Sequence, residues 1–502
     1  LLLRAEDGVR FVPDGTTTTD SSLSFRAWDQ TGATSGQEGT KADASTNGGT
    51  TPFSTDTRSV DVSIAELIKD GNEIVYAPTV GEVNTVTVNY DADTGELVFR
   101  DSTSAIGSGF SGGGTNEVRV ALAAVDDLTI ETGDEDDTII IGDLGPFDGN
   151  LTVDGEDGHD QIRYTGKLDL DDGNHASFTA EEFDARLGSL SVSGTGAISI
   201  DATGSDAGLN NEGIRLYASS FSSEDGDISL NGQSGGSGAN NNGVTLTQGS
   251  SLSSDSGNIT IEGSSQGGTH RNYGVRIGDA SSVSSGGDIN INGTGAGTGT
   301  LNAGVLLWNS ASVSASGSGN ISITGQGADG SGTNHGISIA NQAEISTQDG
   351  TLSLLGTAGD GGNNGVGISL LRASLSSTSG DIDLDGAGGD SGVNNTGIAL
   401  NRGSISTATG SIALDGTGGD GTHRNAGITL VASTLEQTDA GVTAADAITL
   451  VGTGAGSGSR NAGVSVGARS SLNANGAALL TITGQGADGG TARNSGVEIS
   501  GA

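Results

Sequence analysis

The sequence predicts an all-β protein whose main part is a parallel β-helix solenoid, with three short strands and about 30 residues per rung. The first observation is an Asn-x-Gly-Val/Ile motif that recurs every 30 to 36 residues in the second half of the chain. The second is period-2 alternation of aliphatic residues between these motifs. The third is composition, because 90 glycines and 3% aromatic residues in 502 positions leave little to fill wide globular cores. The motif glycines are Gly213, Gly243, Gly274, Gly304, Gly336, Gly367, Gly397, Gly427, Gly463 and Gly496.

Each period divides into three β patterns and a glycine-rich loop. In the first full period, Ile214 and Leu216 alternate on one strand, Phe221 marks a second, and Ile228 and Leu230 alternate on a third. Period-2 alternation and high glycine content both disfavour helices. We therefore expect each period to form one rung of three strands, and each strand to pair with its equivalents in the neighbouring rungs, about 4.8 Å away.

The motif asparagine is predicted to be structural. Stacked at one corner of the rungs, these amides could hydrogen-bond to one another along the axis, and the glycine after them would suit a tight corner or a positive φ. A row of ligand-binding amides is the functional alternative. Gly365 stands where one rung should have its asparagine. The predicted ladder is Asn211, Asn241, Asn272, Asn302, Asn334, Asn395, Asn425, Asn461 and Asn494.

Three regions are expected along the chain. Residues 1–72 read as a partial β-sandwich, residues 73–188 as an acidic β region and possible start of the solenoid, and residues 189–502 as about ten rungs. A longer repeat is superimposed on the rungs, since Thr-His-Arg-Asn at 269–272 returns five rungs later at 422–425. This longer repeat indicates growth of the array by duplication of blocks of rungs, which lengthens a rod.

Two family resemblances accompany this organisation. Segments 9–14, 25–31 (Phe-Arg-Ala-Trp-Asp-Gln-Thr) and 46–51 resemble the C-terminal part of cadherin-like or Ig-like domains of giant bacterial surface proteins. The Asn-x-Gly-Val/Ile corners, with strands such as Gly-Asn-Ile-Thr-Ile-Glu-Gly at 257–263, resemble the β-strand-repeat and filamentous-haemagglutinin-like adhesins of bacteria. These resemblances imply an extracellular or outer-membrane-associated repeat protein, and they identify no receptor.

The acidic region contains a candidate Ca²⁺ site. Stretches 133–139 and 155–162 resemble the glycine-rich calcium repeat of secreted RTX proteins, in which an aspartate lies two residues before an aliphatic one. Clustered carboxylates are the oxygen ligands that Ca²⁺ prefers, and the alternative is a solvated acidic surface. The candidate ligands are Asp134, Asp136, Asp137, Asp154, Asp157 and Asp160.

Charge and composition exclude several functions. The net charge of −42 disfavours nucleic acid as a partner. The absence of cysteine excludes disulfides, thiolate metal sites and a cysteine nucleophile. No apolar run is long enough for a transmembrane helix, and the chain reads as one part of a longer protein.

These observations favour a non-enzymatic stalk or adhesin that contacts cell-surface glycans or matrix. Its possible ligand loops carry His270, Arg271, His423, Arg424, Arg460 and Arg493. A carbohydrate-active β-helix is the first alternative, with Asp383 and Asp385 as its best carboxylates. A passive spacer is the second. No catalytic residue and no cofactor other than possible Ca²⁺ is predicted.

Overall fold

A computed structural model gives the fold of this chain. It describes residues 21–29, 44–62, 65–78, 81–107, 109–171, 173–204, 211–439, 442–443, 446–488 and 492–500. The predicted segment 9–14 lies outside these residues. The described chain is all-β apart from one 3-10 turn at Leu122–Ala124, and it forms a parallel solenoid as the sequence predicts.

Three long sheets form the faces of the solenoid, named here in the order in which the chain meets them within one rung. The first face follows the Asn-x-Gly corner. Its parallel strands are Thr85–Asp91, Thr138–Ile141, Gln161–Tyr164, Glu182–Arg186, Ile214–Tyr217, Val244–Thr247, Val275–Gly278, Val305–Trp308, Ile337–Ala340, Ile368–Leu371, Ile398–Asn401, Ile428–Val431, Val464–Val466 and Val497–Ile499.

The second face is shorter because the earliest rungs have no strand there. Its strands are Lys167–Leu170, Ser189–Val192, Ser220–Ser223, Ser251–Ser254, Ser282–Ser285, Ser312–Ala315, Glu344–Thr347, Ser374–Ser377, Ser404–Thr407, Thr434–Gln437 and Ser471–Asn473.

The third face precedes the glycine-rich loop. Its parallel strands are Glu73–Ala77, Asp127–Glu131, Leu151–Asp154, Ala176–Ala180, Ile198–Thr203, Ile228–Ser234, Ile259–Ser265, Ile289–Thr294, Ile321–Gln326, Leu352–Thr357, Ile382–Ala387, Ile412–Thr417, Ile448–Thr453 and Leu480–Gln485.

Antiparallel strands cover the N-terminal edges of two faces. Glu96–Asp101 and Glu117–Ala121 extend the first face, and Ala65–Asp70 extends the third, followed by the short strand Ile106–Gly107. Such strands protect sheet edges from pairing with other chains. A separate two-stranded sheet pairs Ser21–Trp28 with Phe53–Val62.

Rung length changes along the chain. Thr138, Gln161 and Glu182 occupy one register position, so these early rungs are 23 and 21 residues long. From Ile214 onward the equivalent positions are about 30 residues apart, as the sequence predicts. The parallel ladders reach back to Glu73, so much of the acidic region is continuous with the solenoid sheets.

The core is one continuous column of inward side chains. In the early rungs it contains aromatic rings, with Tyr164 edge-on to Phe178 and to Phe221 at centroid distances of 6.0 and 5.6 Å. Later rungs stack only aliphatic residues, such as Ile398 and Leu400, both buried. Identical spacing of inward residues in every rung fixes the register, because a one-residue slip would turn them outward.

The motif glycines serve close approach rather than positive φ. Their φ values lie outside the left-handed region. A Cβ on Gly243 would meet the backbone N of Ser264 and would lie 2.6 Å from the carbonyl oxygen of Gly232. Glycine is therefore required because the corner of one rung packs directly on the backbone of third-face strands.

Candidate functional site

The first face differs from the rest of the surface in charge. From the strand Val244–Thr247 to the strand Val464–Val466, we group each first-face strand with the five residues before it. These segments are 239–247, 270–278, 300–308, 332–340, 363–371, 393–401, 423–431 and 459–466, and none contains Asp or Glu. We call the surface they form the acid-free face. In a chain with 62 acidic residues, this segregation leaves arginine as the only permanently charged residue type on that surface.

An open groove lies across the N-terminal part of this face and the rung before it. Its volume is about 830 Å³. Arg215 and Tyr217 come from one rung, Tyr273 and Arg276 from a later one, and Trp308 from the next. The residues that line it include Glu212, Arg215, Tyr217, Asn240, Asn242, Thr245, Gln248, Arg271, Tyr273, Arg276, Asp279, Leu301, Trp308 and His335.

Aromatic and cationic groups are combined in this groove. The Arg215 guanidinium lies 5.3 Å from the centre of the Tyr217 ring, in a cation–π arrangement. Trp308 is one of only two tryptophans in the chain, and 41% of its surface is exposed to solvent. Its ring and those of Tyr217 and Tyr273 offer flat apolar surfaces beside arginine donors. This combination suits a ligand that has both apolar ring faces and anionic groups.

One carboxylate is held at the N-terminal end of the groove. Glu212 Oε1 accepts hydrogen bonds from Asn242 Nδ2 at 2.9 Å and Thr245 Oγ1 at 2.7 Å. Glu212 Oε2 lies 3.6 Å from Arg215 Nε. Burial raises the pKa of Glu212, while the bonds from Thr245 and Asn242 and the nearby arginines oppose this rise. Because Asn242 and Thr245 are themselves buried, the carboxyl is held in one orientation.

His335 contributes a neutral imidazole to the same groove. Its Nδ1 accepts the Val366 N–H at 3.1 Å. Burial lowers the pKa of His335 to about 4, so the ring carries no charge near neutral pH.

The predicted loop residues separate into two roles. His270 Nδ1 accepts the Thr300 N–H at 2.9 Å, and His423 Nδ1 accepts the Ser459 N–H at 2.9 Å. The two histidines, which lie five rungs apart, therefore connect their loops to the next rung through the same kind of hydrogen bond. This geometry gives each histidine a loop-packing contact.

The arginines form an edge column along the loop side of the acid-free face. Arg271 lines the groove, and Arg424 and Arg460 line a smaller depression of about 410 Å³. Arg271, Arg424, Arg460 and Arg493 all have left-handed φ, between 56° and 63°. The side chains are exposed, and none of the four makes an ion pair with a described residue.

The motif asparagines form a ladder of a different kind from the one expected. Wherever the next rung also has the asparagine, the backbone N–H of one asparagine donates to Oδ1 of the next, for example Asn241 to Asn272 at 2.9 Å and Asn425 to Asn461 at 3.0 Å. Several side-chain amides then donate to loop carbonyls, as Asn302 Nδ2 does to Thr269 at 3.0 Å. The amides face the interior of the corner, so the alternative of an outward row of ligand-binding amides has no geometric support.

The aspartates of the acidic region bind backbone groups. Asp134 Oδ1 accepts the Gly81 N–H at 2.6 Å, Asp136 Oδ1 the His159 N–H at 3.0 Å, and Asp154 Oδ1 the Glu156 N–H at 3.0 Å. Among the residues that the structure describes, no group of three or more histidine or acidic side chains is arranged to hold a metal ion. Asp157, the remaining candidate besides Asp137 and Asp160, is exposed.

Asp137 and Asp160 extend a corner ladder into the early rungs. Asp137 Oδ1 accepts the Asn84 N–H, and Asp160 Oδ1 accepts the Asp137 N–H at 2.8 Å. Both side chains are buried, and each leaves Oδ2 without a hydrogen-bond partner. Burial raises the pKa of Asp137 to about 6 and that of Asp160 to about 7.

The carboxylates named for an enzyme lie on a different face. Asp383 and Asp385 point outward from the third face, and Asp385 lies beside Asp415 of the next rung. Partial burial raises the pKa of each, with further contributions from Asp381 to Asp383 and from Asp415 to Asp385. Neither aspartate makes an ion pair with a described residue, and both lie outside the groove.

The groove residues Glu212, Arg215, Tyr217, Arg276 and Trp308 were missed by the sequence reasoning. A signal was available, because aromatic residues and arginine recur at outward positions of first-face strands within a few consecutive rungs. Comparisons with protein-family models, curated proteins and solved structures find no match for this chain. Within the described residues, no helix is long and apolar enough to cross a membrane.

Proposed function

We propose that this chain is a non-enzymatic recognition rod of a secreted or bacterial cell-surface protein, and that it binds anionic glycans through the groove on its first face. The observation that carries this proposal is the cluster of Arg215, Tyr217, Tyr273, Arg276 and Trp308 in one open groove. Sugar rings have apolar faces that stack on aromatic side chains, and arginine pairs with carboxylate or sulfate groups.

The shape of the groove supports binding of a polymer. A groove that is open along the surface leaves room for a chain to enter and leave, whereas an enclosed pocket would take a single small molecule. The rigid ladders below hold the groove residues at fixed spacing, which lowers the entropic cost of binding. Both features suit adhesion or matrix contact.

A carbohydrate-active enzyme is the second candidate, and one observation favours it. Glu212 is a largely buried carboxyl with a raised pKa beside arginine and tyrosine in the groove, which is the environment of many general acids. Asp279, the other carboxyl that lines the groove, is paired with Arg276 at 3.6 Å, so binding is the preferred function.

Binding is tested with oligogalacturonates, whose sugars carry carboxylates, by calorimetry on the full chain. We expect measurable binding that falls at least tenfold in the double variant Arg276→Gln/Trp308→Ala. The matched control is Arg58→Gln/Phe25→Ala, which removes one arginine and one exposed ring outside the solenoid and should bind as the wild type does.

A product assay in the same samples separates the alternatives. Release of reducing ends or unsaturated products that stops in Glu212→Gln would replace the binding proposal by an enzyme. Absence of both binding and turnover on carboxylated and sulfated oligosaccharides would leave a passive spacer.

A further inference from the structure

A second group of arginines lies in the same edge column, away from the groove: Arg424 and Arg460 belong to the acid-free face, and Arg493 lies one rung beyond it, in a segment whose strand carries Glu498. Arg424, Arg460 and Arg493 occupy the edge column in three successive rungs, so their Cα atoms are spaced at about one rung, roughly 4.8 Å. Their backbones are stacked, since the Arg424 N–H donates to Ser459 O and the Arg460 N–H donates to Ala492 O, both at 3.1 Å. Three like charges at this spacing repel one another unless an anion lies between them.

The same edge column connects this group to the groove. Arg271 lines the groove, and Arg424 is its counterpart five rungs later. Five rungs correspond to about 24 Å along the axis. The column positions between them carry only neutral side chains, among them Leu301, Asn364 and Asn394. A straight path without a carboxylate therefore joins the two basic groups.

We infer that the acid-free face, with the Arg493 rung that follows it, is a track on which one anionic polysaccharide chain lies parallel to the solenoid axis, held at one end by the groove and at the other by Arg424, Arg460 and Arg493. This inference rests on the proposed function, and it adds a second site and the direction of the ligand. The two sites act on one another only through the polymer, because about 24 Å exceeds the screening length of about 8 Å at physiological ionic strength.

The shape of the rod makes such a bridge effective. The asparagine ladder and three continuous sheets hold both sites in one rigid frame, so the span between them is fixed. When one end of a polymer is bound, its other end is presented to the second site at a high effective concentration. Affinity should then depend on whether the polymer reaches both sites.

The test is a length series of oligogalacturonates titrated into the full chain. We expect short oligomers to bind the groove alone, and affinity to rise at least tenfold once the oligomer spans about 24 Å. The triple variant Arg424→Gln/Arg460→Gln/Arg493→Gln should lose this rise and keep the affinity for short oligomers. A control with the same change in charge is Lys69→Gln/Arg100→Gln/Lys167→Gln, whose sites are exposed and lie outside the acid-free face.

The outcomes distinguish this inference from the proposed function. Short oligomers that bind while long ones gain nothing would overturn the track and leave the groove. A rise with length that the triple variant retains, or that the control also loses, would equally overturn it. Failure of every length to bind would remove the proposed function, and the track with it.

Discussion

At the scale of single residues, the early and the later rungs use different side chains to accept the backbone N–H groups at the corner before the first face. The later rungs place asparagine there, and its Oδ1 accepts a backbone N–H from the previous rung. The early rungs place Asp137 and Asp160 in the comparable role. Asparagine satisfies the bond without charge, whereas a buried aspartate must either lose solvation or bind a proton.

This difference makes the early rungs sensitive to pH. The folded-state pKa values of Asp137 and Asp160, about 6 and about 7, lie above the ordinary aspartate value of 3.8. The folded state therefore binds protons more tightly than the unfolded state. The stability that these groups contribute is complete below about pH 4 and is lost as pH rises through about 6 to 7.

Asp160→Asn should stabilise the early rungs at pH 8. The amide keeps an acceptor for the Asp137 N–H and removes the buried charge, so we expect a gain of about 1–3 kcal/mol at pH 8 that disappears at pH 4. Hydrogen exchange of the strands Asp127–Glu131 and Gln161–Tyr164 at the two pH values measures it. The control Asp157→Asn changes an exposed neighbour and should leave exchange unchanged. Equal effects of both variants would contradict this assignment.

At the scale of structural elements, the corner ladder is interrupted once. Gly365 still donates its N–H to Asn395 Oδ1 at 2.8 Å, but it offers Asn334 no side-chain acceptor. A Cβ at Gly365 would lie 3.3 Å or more from its neighbours, and the φ of this residue is outside the left-handed region. The Cβ of an asparagine at position 365 would therefore require its neighbours to move by only a few tenths of an ångström.

Gly365→Asn should raise stability by about 1 kcal/mol, since it supplies an acceptor for Asn334 and reduces the conformational freedom of the unfolded chain. Thermal unfolding followed by circular dichroism measures the shift. Gly367→Asn is the matched control, because a Cβ there would meet the backbone N of Ala387, and it should lower the melting temperature. A lower melting temperature for Gly365→Asn would show that the corner cannot accommodate a side chain.

At the scale of the whole molecule, stability and recognition both follow from repetition. Each rung pairs only with its two neighbours, so the rod is a sum of similar units. The same stacking aligns outward residues into columns, and one face becomes free of carboxylates from Val244–Thr247 to Val464–Val466.

Removal of one complete rung should preserve the fold. Deletion of residues 365–394 joins residue 364 to Asn395, and the strand Ile337–Ala340 would then pair with Ile398–Asn401. We expect a folded rod with a melting temperature within a few degrees of the wild type, measured by circular dichroism, because only one nearest-neighbour unit is lost. Deletion of residues 365–379, half a rung, is the control and should disrupt the sheets after Leu352–Thr357. Equal stability of the two deletions would contradict an additive rod.

The sequence by itself determined the class of fold, the rung length in the second half and the inward residues of each strand. These are local properties, since period-2 alternation and a motif of fixed spacing are carried by neighbouring residues. It also located the corner asparagines, although their bonding runs from backbone to side chain.

Only the tertiary structure decided where the candidate site lies. Arg215, Tyr273 and Trp308 are far apart in the chain, and they meet because the sheet stacks their rungs at outward positions of one face. The burial of Asp160 likewise depends on rungs above and below it, which no single segment specifies. Contacts between rungs depend on register along the axis, and register is fixed only when the whole column of side chains has packed.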